Sequence, residues 1–553
     1  MKRLLILFAL LALLGACNSH TELTTDPLPT ISLGEEGNSY TLKVGQSLTL
    51  APATTYGESY QWMMDGITLA TTPSYTFTPT REGTFYLTFR VTNPTGSSEE
   101  DFRIDVEALQ PPLISFATDA EGVLTVAVGE STIEPNVLYG DGAQYEWSLD
   151  GEAIATTPIC TLTITSAGEY NLSLCVTNAD GSATENVTLR VVDHLAGEIL
   201  MPSSVATSIG RTLYLDAVPL NFTSPSYRWQ VNGVESTDPI FAFTPSSEGT
   251  YNVTLTLTDA DGYTISREVE VEVTPAEGTY RRTAIASSRS ASNKVYEYRP
   301  AAGQFINESQ SGFAAEQSTA AATAYAERRL TDGKYLSLGA WGGYVVVGFD
   351  HSIASGEGYD FSITGNQHEG SSEAGIVWVM QDSNGNGLPD DVWYELRGSE
   401  WGGATYQRGY AITYYRPKYD MMNVQWQDNR GASGIISRNS THTQPSYYPA
   451  WEGATLTLYG SLLEPNTAVD AATGNQINNS YEWGYADNQG TDSSVTTSGV
   501  KNYFKISSAV AADGSAANLQ YIDFVKVQSA INFVAGALGE ISTEVLAFED
   551  ENM

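Results

Sequence analysis

The sequence predicts an all-β protein: three β-sandwich repeats in tandem, followed by one larger, jelly-roll-like β-sandwich domain. The first observation is a phrase that recurs about every 85 residues, as Tyr60-Gln61-Trp62-Met63-Met64-Asp65-Gly66, Tyr145-Glu146-Trp147-Ser148-Leu149-Asp150-Gly151 and Tyr227-Arg228-Trp229-Gln230-Val231-Asn232-Gly233; self-similarity at a fixed period marks tandem modules. The second is the run after each phrase, Glu82 to Asn93, Gly168 to Asn178 and Glu248 to Asp259, in which apolar residues alternate as a half-buried strand demands. The third is composition: 553 residues with 32 Tyr, 10 Trp and 50 Gly favour strands and Gly-punctuated turns. A chain of this length requires several cores.

The elements follow in order. Met1-Lys2-Arg3 is a basic start, Leu4 to Leu14 is an apolar run too short to span a bilayer, and Leu14-Gly15-Ala16-Cys17 places small residues before a cysteine. This resembles a bacterial lipoprotein signal peptide. The resemblance implies cleavage after residue 16 and lipidation of Cys17, with residues 17–30 as a tether and the membrane touched through the lipid anchor only. The expected address is the cell surface of the outer membrane.

The repeats occupy residues 31–108, 111–193 and 196–275. They resemble the PKD-like, immunoglobulin-like repeats of bacterial surface proteins, in which a Trp strand precedes an Asp-Gly turn and a later Gly-Thr/Glu-Tyr strand. Here the family's longer turn phrase is shortened to Trp-x-x-Asp/Asn-Gly. The repeated Trp is expected between the sheets, and such repeats serve as spacers. Aligning the first two repeats sets Cys160 opposite Tyr75, facing inward, and Cys175 opposite Arg90, facing outward. A disulfide cannot bridge opposite faces, so both thiols are expected free.

Residues 281–553 form the C-terminal domain. Gln317 to Leu330, rich in Ala and Glu, is its helix candidate. Short strands are expected at Lys294 onward, Tyr335 to Leu338, Tyr344 to Phe349, Tyr359 to Thr364, Gly375 to Met380, Val392 to Leu396, Arg408 to Tyr415, Leu456 to Tyr459, Asn502 to Ile506 and Tyr521 to Val527.

Between two of these strands lies Asp382-Ser-Asn384-Gly-Asn386-Gly387-Leu388-Pro-Asp390. Oxygen side chains at positions 1, 3, 5 and 9, with a Gly at 6 and the Leu388 carbonyl at 7, suit a structural Ca²⁺. The same residues also suit an ordinary Asn/Gly/Asp turn. The connection from Lys418 to Glu452 carries Trp426, Tyr447, Tyr448 and Trp451, while Trp341, Trp401 and Trp483 stand in Gly-rich turns. Aromatic faces on loops suit pyranose rings or a large planar cofactor, or they roof the core. His351, His368 and His442 lack close zinc spacing and are expected to be structural.

Leu338-Gly339-x-Trp341-Gly342-Gly343, Trp393-Tyr394-Glu395-Leu396, Trp426 to Gly431, Tyr447-Tyr448-Pro449-x-Trp451, Glu482 to Asn488 and Gly539 to Val545 together resemble a family of Bacteroidetes cell-surface lipoproteins with PKD-like repeats. Some members resemble the surface vitamin B12-binding lipoproteins that accompany TonB-dependent corrinoid transporters. The resemblance implies a cobalamin ligand held by the C-terminal domain; a glycan-binding protein or adhesin is the other reading. A formal charge of −38, from 27 Lys and Arg against 65 Asp and Glu, excludes nucleic acid as a partner. No nucleophile elbow, zinc-protease, Walker or dinucleotide motif occurs, so no catalytic residue is assigned and no enzyme is expected.

Overall fold

A computed structural model describes residues 26–34, 37–471 and 473–553. The signal peptide, Cys17 and most of the tether lie outside the described residues. The chain divides into two compact units, one ending at Gln110 and the other running from Pro111 to Met553.

The first unit is one sandwich. Its main sheet runs Ser39–Lys43, Gly96–Glu107, Gly83–Asn93, Ser59–Met64, Ile67–Ala70. The first two strands are parallel and the rest antiparallel. Asp65 and Gly66 join the last two strands with φ of 50° and 77°. A two-residue hairpin needs positive φ at both positions to match the strand twist, which explains the recurring Asp/Asn-Gly. Trp62 is fully buried against Phe89, with ring centroids 4.4 Å apart, and its indole N–H donates to Thr72 O.

The next two repeats copy this plan. Their five-stranded sheets carry Trp147 and Trp229, both buried, whose indoles donate to Thr157 O and Asp238 O. Asp150-Gly151 and Asn232-Gly233 again take positive φ. Cys160 is buried, Cys175 is half-buried on the other face, and both are free, as the register argument required. These two repeats depart from the spacer picture, since both dock on the C-terminal domain. Lys418 Nζ lies 2.6 Å from Glu185, Asn136 Nδ2 donates to Asn423 O, and Arg211 Nη1 donates to Ala517 O at 2.8 Å.

The C-terminal domain has a six-stranded sheet ordered Lys294–Arg299, Tyr344–Ala354, Tyr521–Ser529, Gly375–Met380, Trp393–Leu396, Ala509–Val510. One face, with Val345, Val347, Val377, Val379, Val525 and Val527, packs on the four-stranded sheet that contributes Phe361, Ile363, Phe504 and Phe548. A further four-stranded sheet, Ser433–Ile436, Val424–Asp428, Tyr406–Tyr415, Thr455–Leu463, builds a second core around Trp341. The helix is Thr319–Thr331, capped by Ser318 Oγ accepting from Ala321 N. It buries Ala322, Tyr325 and Ala326.

Candidate functional site

The outer face of the six-stranded sheet is where a site forms. Lys526 lies directly opposite Trp378, and Trp378 opposite Glu395, in one row across three strands. Side chains two apart on a strand share a face, so Met380, Trp393 and Phe524 join them. The third repeat closes over this face with Met201, Leu213 and Leu215, and the Thr455–Leu463 strand closes it from the side with Tyr459. Between them remains a cavity of about 160 Å³.

Lys526 is its only ammonium. Its Nζ sits 4.8 Å from the Trp378 ring centroid, 4.9 Å from Trp393 and 5.8 Å from Tyr344, held by aromatic faces in place of a carboxylate. Burial lowers its pKa to about 8, with Glu297 and Glu395 pulling the other way. Glu395 is held well: Tyr406 Oη and Ser461 Oγ each donate to it at 2.7 Å. Burial nonetheless raises its pKa, against those two hydrogen bonds. The result is an apolar hollow with one under-coordinated cation in its wall, suited to a ring-sized group that carries a hydrogen-bond acceptor. A cavity of roughly 150 Å³ accepts a benzene-sized ring.

The Asp382 loop hangs from the same hairpin. Asp382 is buried, and its Oδ2 accepts from Gly387 N at 3.0 Å while its own N–H donates to Asp523 Oδ2 at 2.8 Å. Asn384 Oδ1 accepts from Asn386 N, and Asn386 Oδ1 from Leu388 N, so both amides close Asx turns. Asp390 is exposed and accepts from Asn386 Nδ2. Leu388 is exposed as well. Asp391, which the spacing passed over, is the buried neighbour; its Oδ2 accepts from Ser383 N at 2.6 Å. Asp382 Oδ1 and Asp391 Oδ1 are both buried without a hydrogen-bond partner. Burial, with Asp390 and Asp382 adding to it, raises the Asp391 pKa to about 8, and burial also raises that of Asp382. Two orphaned carboxylate oxygens on one loop fit a bound cation.

The aromatic candidates do not converge. Trp341, Tyr447 and Tyr448 are fully buried, and their faces pack in the second core. Trp341 Nε1 donates to Ser461 O, and Tyr447 Oη to His442 O. Of the two readings open in the sequence, display on a loop and roofing of the core, they take the second; Tyr447 and Tyr448 suggested display because the 418–452 connection reads as one long loop, and Trp341 because it stands in a Gly-rich turn. It contains the hairpin Val424–Asp428 and Ser433–Ile436, and the connection folds back over that sheet. Trp426, in the first of these strands, and Trp451 are half-buried against that core and the main one respectively. Trp401 is half-buried beside Tyr406. Only Trp483 is exposed, at 39 %, in a separate cleft of about 270 Å³ with Tyr359, Tyr503, Arg397 and Asp492. His351 is buried between Asp350 and Asp550, at 2.7 and 2.9 Å.

Part of the chain ahead of this domain is similar to known modules. A family model described as a PKD-like domain matches residues 28–93 and 111–178. Human polycystin-1 is 22% identical over 194 residues, which is 34% of this chain and 4% of that protein. This chain therefore spans a small fraction of that relative. Among solved structures, an I-band fragment of titin is 15% identical and covers 44% of this chain and 98% of its own, with a TM-score of 0.21. Extracellular domains 3–5 of Drosophila OTK are 12% identical over 43% of this chain and 94% of theirs, with a TM-score of 0.16. Among the described residues, no helix is long and apolar enough to cross a membrane.

Lys526 and Asp391 were the residues that sequence reasoning missed. The alternation of Tyr521–Ser529 sets Lys526 apart from inward Val525 and Val527, a signal that a charged residue faces a second layer. Its pairing with Trp378 depends on register between strands nearly 150 residues apart, which no local pattern encodes.

Proposed function

We propose that this chain is a lipid-anchored, non-catalytic binding protein of the bacterial outer-membrane surface, whose C-terminal domain captures vitamin B12 or a related corrinoid for hand-over to a TonB-dependent transporter. The observation that carries the binding reading is the aromatic cavity with Lys526 in its wall. It is smaller than the roughly 300–1,000 Å³ of sites that engulf a whole cofactor-sized molecule. The corrin ring accordingly rests over the mouth, and only a projecting ring or amide arm enters, its acceptor meeting the ammonium. The Asp382 loop holds a structural Ca²⁺ that braces the hairpin bearing Trp378 and Trp393. Isothermal titration of the full chain with cyanocobalamin tests this: saturable heat at micromolar ligand, weakened in Trp393→Ala, is expected. No heat overturns it.

The cleft at Trp483 favours a second reading, glycan binding. An exposed indole beside Tyr359 and Tyr503, with Asp492 and Arg397 at hand, offers a stacking face and polar partners for a pyranose. A glycan array that lights with the parent and not with Trp483→Ala supports this reading, and an array blank for both removes it.

A further inference from the structure

Three segments of the C-terminal domain bring Glu373, Asp487 and Glu544 together, with one carboxylate oxygen of each within 4.8 Å of the other two. That spacing is the span of two Ca–O bonds of about 2.4 Å. Backbone bonds fix the arrangement: Glu544 N donates to Asp487 Oδ2 at 2.9 Å, Glu373 N to Asp487 O at 3.0 Å, and Gly375 and Ala486 exchange a pair of bonds beside them. Asp487 is fully buried and Glu544 is 4% exposed. Among the described residues no Lys, Arg or His pairs with any of the three.

An independent feature points into the same place. Gln367 is 2% exposed, and its Nε2 is tied to Asn502 Oδ1 at 2.7 Å and to Val500 O at 3.2 Å. Those bonds turn the amide oxygen the other way, where it has no hydrogen-bond partner. Gln367 Oε1 and Asp487 Oδ1 lie 2.5 and 2.7 Å from the point a Cβ on Gly365 would occupy, so the two oxygens approach each other across the space this glycine leaves. An amide oxygen only accepts, and Asp487 Oδ1 already accepts from Asn366 N at 3.2 Å, so what completes Gln367 Oε1 is a donor, which includes a protonated Asp487, or a cation.

A proton shared by Glu373 and Glu544 leaves the Gln367 oxygen orphaned, and satisfying it by protons alone takes a second one on Asp487. One cation satisfies all four residues together. The donors are all oxygen, with neither imidazole nor thiolate, which selects hard ions and disfavours zinc or copper. We infer that Glu373, Asp487, Glu544 and the Gln367 amide oxygen form a buried site for a hard divalent cation, Ca²⁺ by its ligand set, sharing no residue with the Asp382 loop. Asp487 belongs to the same connection as Trp483, so the ion ties the loop under the second cleft to the short strand Glu544–Val545. Asn366, whose N–H donates to Asp487 Oδ1 and whose Nδ2 donates to Glu544 at 3.4 Å, orients two of the ligands.

The test uses the full chain, produced with calcium present and desalted into calcium-free buffer, with bound calcium counted by atomic emission. Asp382→Asn with Asp391→Asn removes the loop as a source. That double variant is expected to keep one calcium per chain, and adding Glu373→Gln is expected to lose it. The glutamine amide still offers a donor toward Glu544, so a proton-sharing cluster tolerates the change and the melting point in EDTA stays near that of the double variant. Calcium retained unchanged after Glu373→Gln overturns the inference, as does a double variant that neither retains calcium nor binds it in titration. Should the triple variant fail to fold, terbium luminescence on the double variant decides instead. Saturable emission displaced by Ca²⁺ supports the site, and none refutes it.

Discussion

Replacing Lys526 by Met tests the cavity from the inside. The side chain keeps its length and its apolar contacts and loses only the ammonium. In the folded protein burial lowers the Lys526 pKa from 10.5 to about 8. At ~1.4 kcal/mol per pKa unit, the charged form is disfavoured by at most ~3.5 kcal/mol, and partial solvent access reduces this to ~1–3 kcal/mol. The Trp378 and Trp393 faces offset some of the desolvation, by ~0.5–2 kcal/mol. The sign is fixed by linkage. Below pH 8 both states hold the proton and the penalty is complete. From about 8 to 10.5 the unfolded chain holds more protons than the folded one, so stability rises with pH. Lys526→Met removes that rise. The readout is the difference between parent and variant in urea midpoint at pH 7 and pH 9.5, which cancels tyrosine titration elsewhere. The variant is expected to be the more stable at pH 7 by ~1–3 kcal/mol, with the gap closing at pH 9.5. A variant less stable at pH 7, with a pH-independent gap, refutes the claim that the ammonium is held without an adequate partner. Ligand follows the same logic. An acceptor that enters the cavity favours the charged lysine, so affinity falls as the pH passes 8.

Three other outcomes follow from the geometry. Asp382→Ala is expected to lower the melting temperature in calcium and to remove the loop's share of the shift that calcium gives the parent, ~2.7 kcal/mol per site at a hundredfold excess over Kd, while any share from the Glu373 cluster remains; scanning calorimetry with calcium and with EDTA reads it, and an undiminished calcium shift in the mutant counts against the brace. Trp147→Ala empties the centre of the second sandwich and orphans Thr157 O, at a cost of ~3–5 kcal/mol in chemical denaturation, while a loss under ~1 kcal/mol is incompatible with the packing described. Burial works against the charged form of His351, but Asp350 and Asp550 hold its pKa above the ordinary value. Its contribution is therefore present at pH below the unfolded imidazole value and is lost as pH rises through the folded one; His351→Gln should flatten that decline, and an unchanged profile shows the imidazolium is not part of it.

Much of the fold is local and was therefore readable. Trp62, Trp147 and Trp229 recur because each sandwich needs one large residue between its sheets, and the Asp/Asn-Gly after them is the chemistry of a two-residue hairpin. Cys160 and Cys175 could be placed on opposite faces because side chains alternate strictly along a strand. Gly375–Met380 came out with its expected bounds. The site was far less legible. Tyr447 and Tyr448 look exposed in a connection rich in Ser, Asn and Thr, yet their burial depends on a hairpin whose short strands, Val424–Asp428 and Ser433–Ile436, carry too few alternating residues to announce themselves. The position rule for calcium loops selected Asp390, whereas the side chain that turns inward is Asp391. Spacing fixes which residues are near each other and leaves their direction to the turn.

The cavity and the Asp382 loop lie on one hairpin, and that shared support would couple the proposed metal to the proposed ligand. Trp378 and Trp393, the two rings nearest Lys526, belong to the strands that enter and leave the loop, and Met380 pairs with Trp393 at its base. Asp391 also lines the cavity. The proposed cation, by neutralising Asp382 and Asp391, would fix the separation of the two strands at the point where their tryptophans wall the hollow. Removing the cation leaves two buried carboxylates to repel or to take up protons, and the strain falls on that end of the hairpin. The third repeat packs on the same face through Met201 and Leu215, so it too is part of the cavity wall. A ligand in the cavity should therefore stabilise the seam between the third repeat and the C-terminal domain as well as the domain itself. Hydrogen exchange across Leu213–Leu215 and Trp393–Leu396, slowed together by ligand and by calcium, is the expected signature. Slowing in only one of the two strands would separate the brace from the site.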